Sequence, residues 1–205
     1  MQSDQLTTEV RARSGRDWCL FLDRDGVINT RIMDGYVRDW TEFDFLPGVL
    51  TALGILARWA PHIVVVTNQQ GVGKGIMSAA DLADIHDRMQ RAVAEAGGRI
   101  DAIQSCPHLA GDGCACRKPN TGMAEEYLTA HPEIEPSLSV MIGDTDSDIE
   151  MGRRLAAVTG GCITVRIDRA LDPLADLTFP DLAGFAETVA ALLADETGDG
   201  GHSAE

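Results

Sequence analysis

Short, continuous apolar runs alternate along the chain with amphipathic stretches. Residues 18–22 (WCLFL) and 63–67 (IVVVT) are apolar at successive positions, which predicts strands buried on both faces. Runs at 102–105, 138–142 (LSVMI) and 162–167 (CITVRI) read the same way. Helical patterns lie between them. Residues 47–59 (PGVLTALGILARW) form one, opened by Pro47. A longer one starts at Ser78, where Asp81 completes a capping-box pattern and Leu82, Ile85, Met89 and Val93 follow at helical spacing. Residues 122–131, 148–157 and 181–194 supply the others. This alternation predicts a Rossmann-like α/β fold, a parallel sheet with helices on both faces. The polar residues 1–16 and the acidic, glycine-rich residues 195–205 read as flexible tails, leaving a single domain over 17–194.

Composition narrows the functional classes. A chain of 205 residues, 44% hydrophobic and 24% charged, is that of a globular protein with one sizeable core. The formal net charge of -15 opposes nucleic acid and anionic lipid over most of the surface. No apolar run approaches the roughly 18 residues of a membrane span, and the N-terminus lacks the apolar core of a secretory signal. A cytoplasmic monomer with no nucleic-acid or membrane partner is therefore expected. An anionic ligand needs local cations, and the lysines are confined to Lys74 and Lys118, both in loops.

Three of the apolar runs end in polar residues: Asp23-Arg24-Asp25-Gly26, Thr67-Asn68-Gln69-Gln70-Gly71 and Gly143-Asp144-Thr145-Asp146-Ser147-Asp148. In parallel sheets ligands bind beyond the carboxyl ends of the strands, so neighbouring strands would gather these loops at one rim. Asp23, Asp25, Asp144 and Asp148 would repel one another there unless a cation joined them, and an all-oxygen, open site suits Mg²⁺. Taken one at a time, each acid reads equally well as a helix cap or turn former. The glycine loop 71–75 is not a nucleotide-binding loop. A Walker motif needs glycine at 68 and serine or threonine at 75, where Asn68 and Gly75 stand, and the dinucleotide fingerprint fails at Ile76. It reads instead as a loop close to a small phosphorylated substrate, with Lys74 either touching that substrate or solvated.

Cys106, His108, Cys114 and Cys116 form C-x-H-x5-C-x-C. Three thiols and an imidazole suit a closed, structural tetrahedral Zn²⁺ site; the alternative is a set of free reduced thiols. The loop runs directly into Arg117 and Lys118, so clamping it would position both. Cys19 and Cys162 fall in apolar runs and read as core residues.

FLDRDGVIN, VVVTNQQGVGKG, CRKP and MIGDTDSD together resemble, in order and spacing, the four motifs of the haloacid dehalogenase (HAD) superfamily of phosphohydrolases over about residues 18–168. The resemblance implies Asp23 as the nucleophile that forms an aspartyl-phosphate, and Asp25 as general acid and then base. It implies Thr67 and Asn68 on the phosphoryl oxygens and Lys118 neutralising the charge. Mg²⁺ would be held by Asp23, Asp144 and the backbone carbonyl of Asp25, with Asp148 in support. The four-ligand loop narrows the resemblance to the zinc-loop subfamily of heptose-bisphosphate and histidinol-phosphate phosphatases. DGYVRDWTEFDFLPGV and KPNTGM lean to the heptose type; the short gap between His108 and Cys114 leans to the histidinol type. The stretch from Gly26 to Pro47 has room for a flap and none for a cap domain. A capless enzyme is expected, with its small phosphorylated metabolite read by Arg117, Lys74 or the flap residues Tyr36–Trp40. Two other readings are a phosphomutase, which would need a cap to exclude water, and a zinc-stabilised binding module without catalysis. The second would leave the motif broken, whereas Asp23, Asp25, Lys118 and Asp144 are all present.

Overall fold

The computed structural model describes residues 2–198, with side chains over 3–195. Within them, β1 (Cys19–Leu22), β2 (His62–Asn68), β3 (Ala102–Cys106), β4 (Val140–Gly143), β5 (Ile163–Ile167) and β6 (Leu177–Phe179) form a parallel sheet in the order β3-β2-β1-β4-β5-β6. The chain winds outward from β1 through β2 to β3, then returns to pair β4 against the other side of β1. That reversal makes the β1/β4 crevice the topological switch point, where open α/β sheets bind ligands.

Alternation along the strands divides the core. Leu20 and Leu22 of β1, Ile63 and Val65 of β2, and Val140 and Ile142 of β4 face one side. There they meet α2 (Val49–Trp59), α4 (Ala79–Glu95) and α7 (Leu182–Gly198). Cys19, Phe21, Val64, Val66 and Met141 face the other, against α5 (Gly122–Ala130) and α6 (Asp146–Thr159). Successive strand residues serve opposite layers, so the runs are apolar at every position. The capping box forms as expected: Ser78 N–H donates to Asp81 Oδ2 at 2.8 Å, and Asp81 N–H to Ser78 Oγ at 3.1 Å. Gly48, at φ 75°, caps α2, so the helix opens one residue after it rather than at Pro47.

The N-terminal segment departs from expectation. Residues 1–16 are not a loose tail over their described part: α1 (Gln2–Ala12) packs against α7 and buries Leu6 and Val10. Arg13, just beyond α1, is also buried and donates from Nε to the Leu138 carbonyl at 2.8 Å. Two apolar residues one helical turn apart are too few to stand out from a polar stretch, yet they suffice once a second helix covers them. At the other end α7 runs to Gly198, past the expected boundary at 194, and residues 199–205 of the expected tail lie outside the described residues. No helix among the described residues is long and apolar enough to cross a membrane. A shortening of Leu6 tests the docking of α1. Leu6→Ala should lower stability by about 2–5 kcal/mol in urea denaturation, whereas Gln5→Ala on the exposed side should leave the midpoint unchanged. An unaltered midpoint in Leu6→Ala would mean that α1 is not docked in solution.

Candidate active site

The site lies beyond the carboxyl ends of β1, β2 and β4. Asp23 follows β1 and is buried; its Oδ1 accepts from Lys118 Nζ at 2.7 Å and from the Arg24 backbone N–H at 2.7 Å. Lys118 Nζ also forms an ion pair with Asp148 Oδ1 at 2.7 Å and donates to the Val66 carbonyl at 2.8 Å. Asp148 is fully buried on the first turn of α6, and its Oδ2 caps the helix at Thr145. Gly26 turns the chain after Asp25 at φ 95°, and a Cβ there would sit 2.0 Å from Asp144 Oδ2, so only glycine lets the two loops meet.

Charge is unevenly matched at this rim. Burial, then the proximity of Asp148, pushes Asp23 up to about 7 against the opposing pull of Lys118. Burial likewise pushes Asp144 up to about 6, with Arg31 opposing. Burial pushes Lys118 down, but Asp148 and Asp23 outweigh it and the ammonium is held above its ordinary value. Oxygens of Asp23, Asp144 and Asp148 lie within 4.8 Å of one another, a hard, oxygen-only donor set that fits Mg²⁺. A cation of the protein's own already stands against these oxygens. Arg31 Nη2 is 2.8 Å from Asp144 Oδ1, 3.0 Å from the Asp25 carbonyl oxygen and 3.6 Å from Asp23 Oδ2.

Asp25 turns its carboxylate away from that cluster. Arg24 Nη2 donates to Oδ1 at 2.9 Å and to Oδ2 at 3.0 Å; Asn29 Nδ2 adds a bond to Oδ1 at 2.9 Å and Gln69 Nε2 one to Oδ2 at 2.8 Å. Burial pushes Asp25 up, but the Arg24 charge and these donors outweigh it and hold the carboxyl below its ordinary value. Arg24 is itself fully buried, with Nη1 3.2 Å from His86 Nε2 on α4. Burial and then Arg24 push His86 down to about 3, so its imidazole stays neutral.

An open cavity of about 290 Å³ lies over these groups. Asp23, Asp25, Thr67, Asn68, Arg117 and Lys118 line its floor and one wall, and Arg31, Tyr36 and Val37 of the flap line the other. Thr67 Oγ1 accepts from Gln69 at 2.9 Å. Asn68, expected on a phosphoryl oxygen, meets the backbone of Lys118: Oδ1 accepts from the Lys118 N–H at 3.0 Å and Nδ2 donates to the Lys118 carbonyl at 3.2 Å. Its amide clamps the lysine's backbone. Arg117 Nη1 is buried beside the cavity without a hydrogen-bond partner. Lys74 is not among the lining residues; it donates to the Tyr36 hydroxyl at 2.9 Å and ties the flap to the short α3 (Gln70–Gly73). Trp40 stacks on Phe43 at 4.9 Å between ring centroids and so packs within the flap.

The cysteine loop lies directly before the cavity-lining residues Arg117 and Lys118. Cys106, His108, Cys114 and Cys116 present one ligand atom each within 4.8 Å, with Cys106 Sγ 3.6 Å from both His108 Nδ1 and Cys114 Sγ. No disulfide joins them. Gly73 packs on this loop so closely that a Cβ would meet the Pro107 carbonyl oxygen at 2.4 Å. The residues that sequence reasoning missed are Arg24, Asn29, Gln69, Arg31 and His86. Arg24, Asn29 and Arg31 lie in the same segment as the recognised acids and Gln69 directly after Asn68, but none has a spacing that marks it.

The HAD-hydrolase-like family model matches residues 115–164. The chain is 49% identical over 181 residues to the D-glycero-alpha-D-manno-heptose-1,7-bisphosphate 7-phosphatase of Mycobacterium bovis, covering 88% of this chain and 95% of that one. It is 36% identical to the D-glycero-beta-D-manno-heptose-1,7-bisphosphate 7-phosphatase of Bordetella bronchiseptica, covering 84% and 94%. The crystal structure of D,D-heptose 1,7-bisphosphate phosphatase from B. bronchiseptica, complexed with magnesium and phosphate, superposes with a TM-score of 0.73 at 34% identity, over 87% of this chain and 99% of that one. The chain belongs to the HAD superfamily of phosphatases and, within it, is closely related to the D-glycero-D-manno-heptose-1,7-bisphosphate 7-phosphatases.

The buried Arg24–His86 contact has a pH signature. An unfolded histidine protonates below about 6.5, whereas His86 in the fold resists protonation down to about 3. Between these values the unfolded chain binds the extra proton, so this group's contribution is complete above about 6.5 and is lost as pH falls. His86→Gln should remove up to about 1.4 kcal/mol per pH unit from the acid-side slope of stability. Equal slopes for both proteins in urea titrations from pH 6.5 to 4.5 would show that His86 is not held neutral.

Proposed function

We propose that this protein is a Mg²⁺-dependent phosphomonoesterase that removes the 7-phosphate of D-glycero-D-manno-heptose 1,7-bisphosphate through an aspartyl-phosphate. The observation that carries the chemistry is a buried Asp23 whose one oxygen is held by Lys118 and whose other faces an open, cation-rich cavity. The names of the relatives support the substrate. Identities of 49% to the alpha-named relative and 36% to a beta-named one favour the alpha anomer.

In the first half, Asp23 Oδ2 attacks phosphorus as the bond to the leaving oxygen breaks, and Asp25 gives that oxygen a proton. A phosphate dianion beside Asp25 raises its proton affinity against the pull of Arg24. In the second half water attacks phosphorus and Asp25 takes its proton. The bond to Asp23 then breaks and inorganic phosphate leaves. Lys118 balances charge on Asp23 throughout, and Thr67 with the backbone after β2 holds the phosphoryl oxygens. A Mg²⁺ held by Asp23, Asp144 and the Asp25 carbonyl, with Asp148 in support, supplies the further positive charge that lets a carboxylate approach a phosphate. The unpartnered Arg117 Nη1 is the donor we assign to the far phosphate of the substrate. Histidinol phosphate has one phosphate and offers it nothing.

Zn²⁺ in the cysteine loop is structural in this reading. All four ligands come from protein, which leaves no open position for chemistry. Asn120 Nδ2 holds the Cys114 carbonyl at 2.8 Å, and Arg117 and Lys118 follow Cys116 directly, so the metal fixes the approach of both cations. The surface charge agrees with a cytoplasmic enzyme that binds neither nucleic acid nor membrane, and we expect a monomer.

Asp23→Asn should abolish phosphate release from heptose bisphosphate, by more than about 1000-fold in kcat, with an unchanged circular dichroism spectrum; near-normal turnover would remove Asp23 as nucleophile. Arg117→Ala should raise KM for the bisphosphate more than it lowers kcat, and equal losses on a monophosphate ester would refute the far-phosphate contact. Cys114→Ser should lose bound zinc, measured by elemental analysis, together with most activity. Full activity without zinc would refute its positioning role.

A further inference from the structure

The flap residue Arg31 stands where the acidic rim is most crowded. Its Nη2 contacts Asp144 Oδ1 at 2.8 Å and the Asp25 carbonyl at 3.0 Å, and lies 3.6 Å from Asp23 Oδ2. These groups come from two loops more than 100 positions apart, the ends of β1 and β4. They are also the three groups proposed above to hold Mg²⁺, and the inference rests on that reading. A magnesium ion needs its oxygens at about 2.0–2.1 Å. A guanidinium nitrogen within hydrogen-bond distance of two of the same oxygens leaves no room for it, and two cations so close repel.

We infer that Arg31 is a resident counter-cation of the catalytic rim, which stabilises the metal-free protein and must be displaced for the divalent cation to bind. Several features suit it to that exchange. Its side chain is 35% exposed, so it can leave without breaking the core, whereas Lys118 is locked in place by three buried acceptors. It lies on the flap, next to the exposed Ile32 and Met33, and not on a strand or helix. It also lines the cavity, so the displaced guanidinium remains beside any anion bound there. Without Arg31, the acids Asp23, Asp144 and Asp148 would share Lys118 alone. The residue therefore trades metal affinity against stability of the empty site.

The test is metal binding, with no turnover involved. Free Mn²⁺ is followed by electron paramagnetic resonance during titration of the full-length wild type and of Arg31→Gln, both stripped of metal at the catalytic site and without substrate. The variant should bind Mn²⁺ at least about fivefold more tightly, in the ordinary range of coupling between competing ligands. A second reading keeps the test independent of any general loss of stability. Arg31→Gln should melt below wild type without Mn²⁺, and saturating Mn²⁺ should raise its Tm by more than it raises that of wild type. Equal or weaker Mn²⁺ binding in the variant, or equal metal-induced shifts in Tm, would overturn the counter-cation role. If neither protein binds Mn²⁺, the metal reading itself fails and the proposal with it.

Discussion

One ammonium group shared between two buried carboxylates organises this site. Lys118 Nζ is 2.7 Å from both Asp23 and Asp148, and all three side chains are buried. Removing the lysine would strand two buried carboxylates, a defect that ordinarily costs about 3–5 kcal/mol. The contact therefore ties together the ends of β1 and β4 and the segment after the cysteine loop, which are remote in sequence. Apolar residues would pack that junction more cheaply. The charged triad leaves Asp23 ionisable, oriented and facing the cavity, which is what a carboxylate nucleophile requires.

The supports around the triad have the same character. Asn68 grips both backbone groups of Lys118, while Gln69, one residue later, reaches the other way to Asp25. A single strand end thus aligns Lys118 with one face and Asp25 with the other. The pleat of β2 makes this possible, because successive side chains leave it on opposite sides. Arg24 completes the frame from beneath. Its planar fork spans Asp25 on one side and a neutral His86 on the other, a geometry that lysine could not reproduce. The two Asp residues of D-x-D consequently do different work: one is paired to a lysine and faces the rim, the other is fixed by amides and a guanidinium.

The sheet and its helices were legible in the sequence because strands buried on both faces are written as uninterrupted apolar runs. Their polar ends marked the rim, and Asp23, Asp144, Lys118 and the cysteine loop were legible as a spaced motif. What escaped notice had weaker local signals. Leu6 and Val10 become core only when α7 covers them. The three residues of β6 pair with β5 and carry too short a pattern to declare themselves. Arg24, Asn29, Gln69 and His86 gain their meaning from contacts across up to 62 positions of sequence, and periodicity is silent about these. Lys74 misled in the opposite direction. A lone lysine in a glycine loop looks chemical, and it holds Tyr36 instead.

Loops take over here the work of a cap domain. On one side Lys74 pins Tyr36 to α3; on the other the cysteine loop is packed against Gly73 of the same short helix. The glycine-rich segment thus packs against both the flap, at Gly71 and Tyr36, and the cysteine loop, at Gly73 and Pro107, which explains its small residues better than a phosphate cradle would. Among the described residues no cap covers the cavity, in which Arg117 Nη1 has no hydrogen-bond partner, and the rim is open to water. Open access to water suits hydrolysis and disfavours transfer to a second acceptor, for which an acyl phosphate must be shielded. The fold's preference for a phosphatase over a mutase therefore comes from what covers the rim, since the charged triad beneath would serve either reaction equally well.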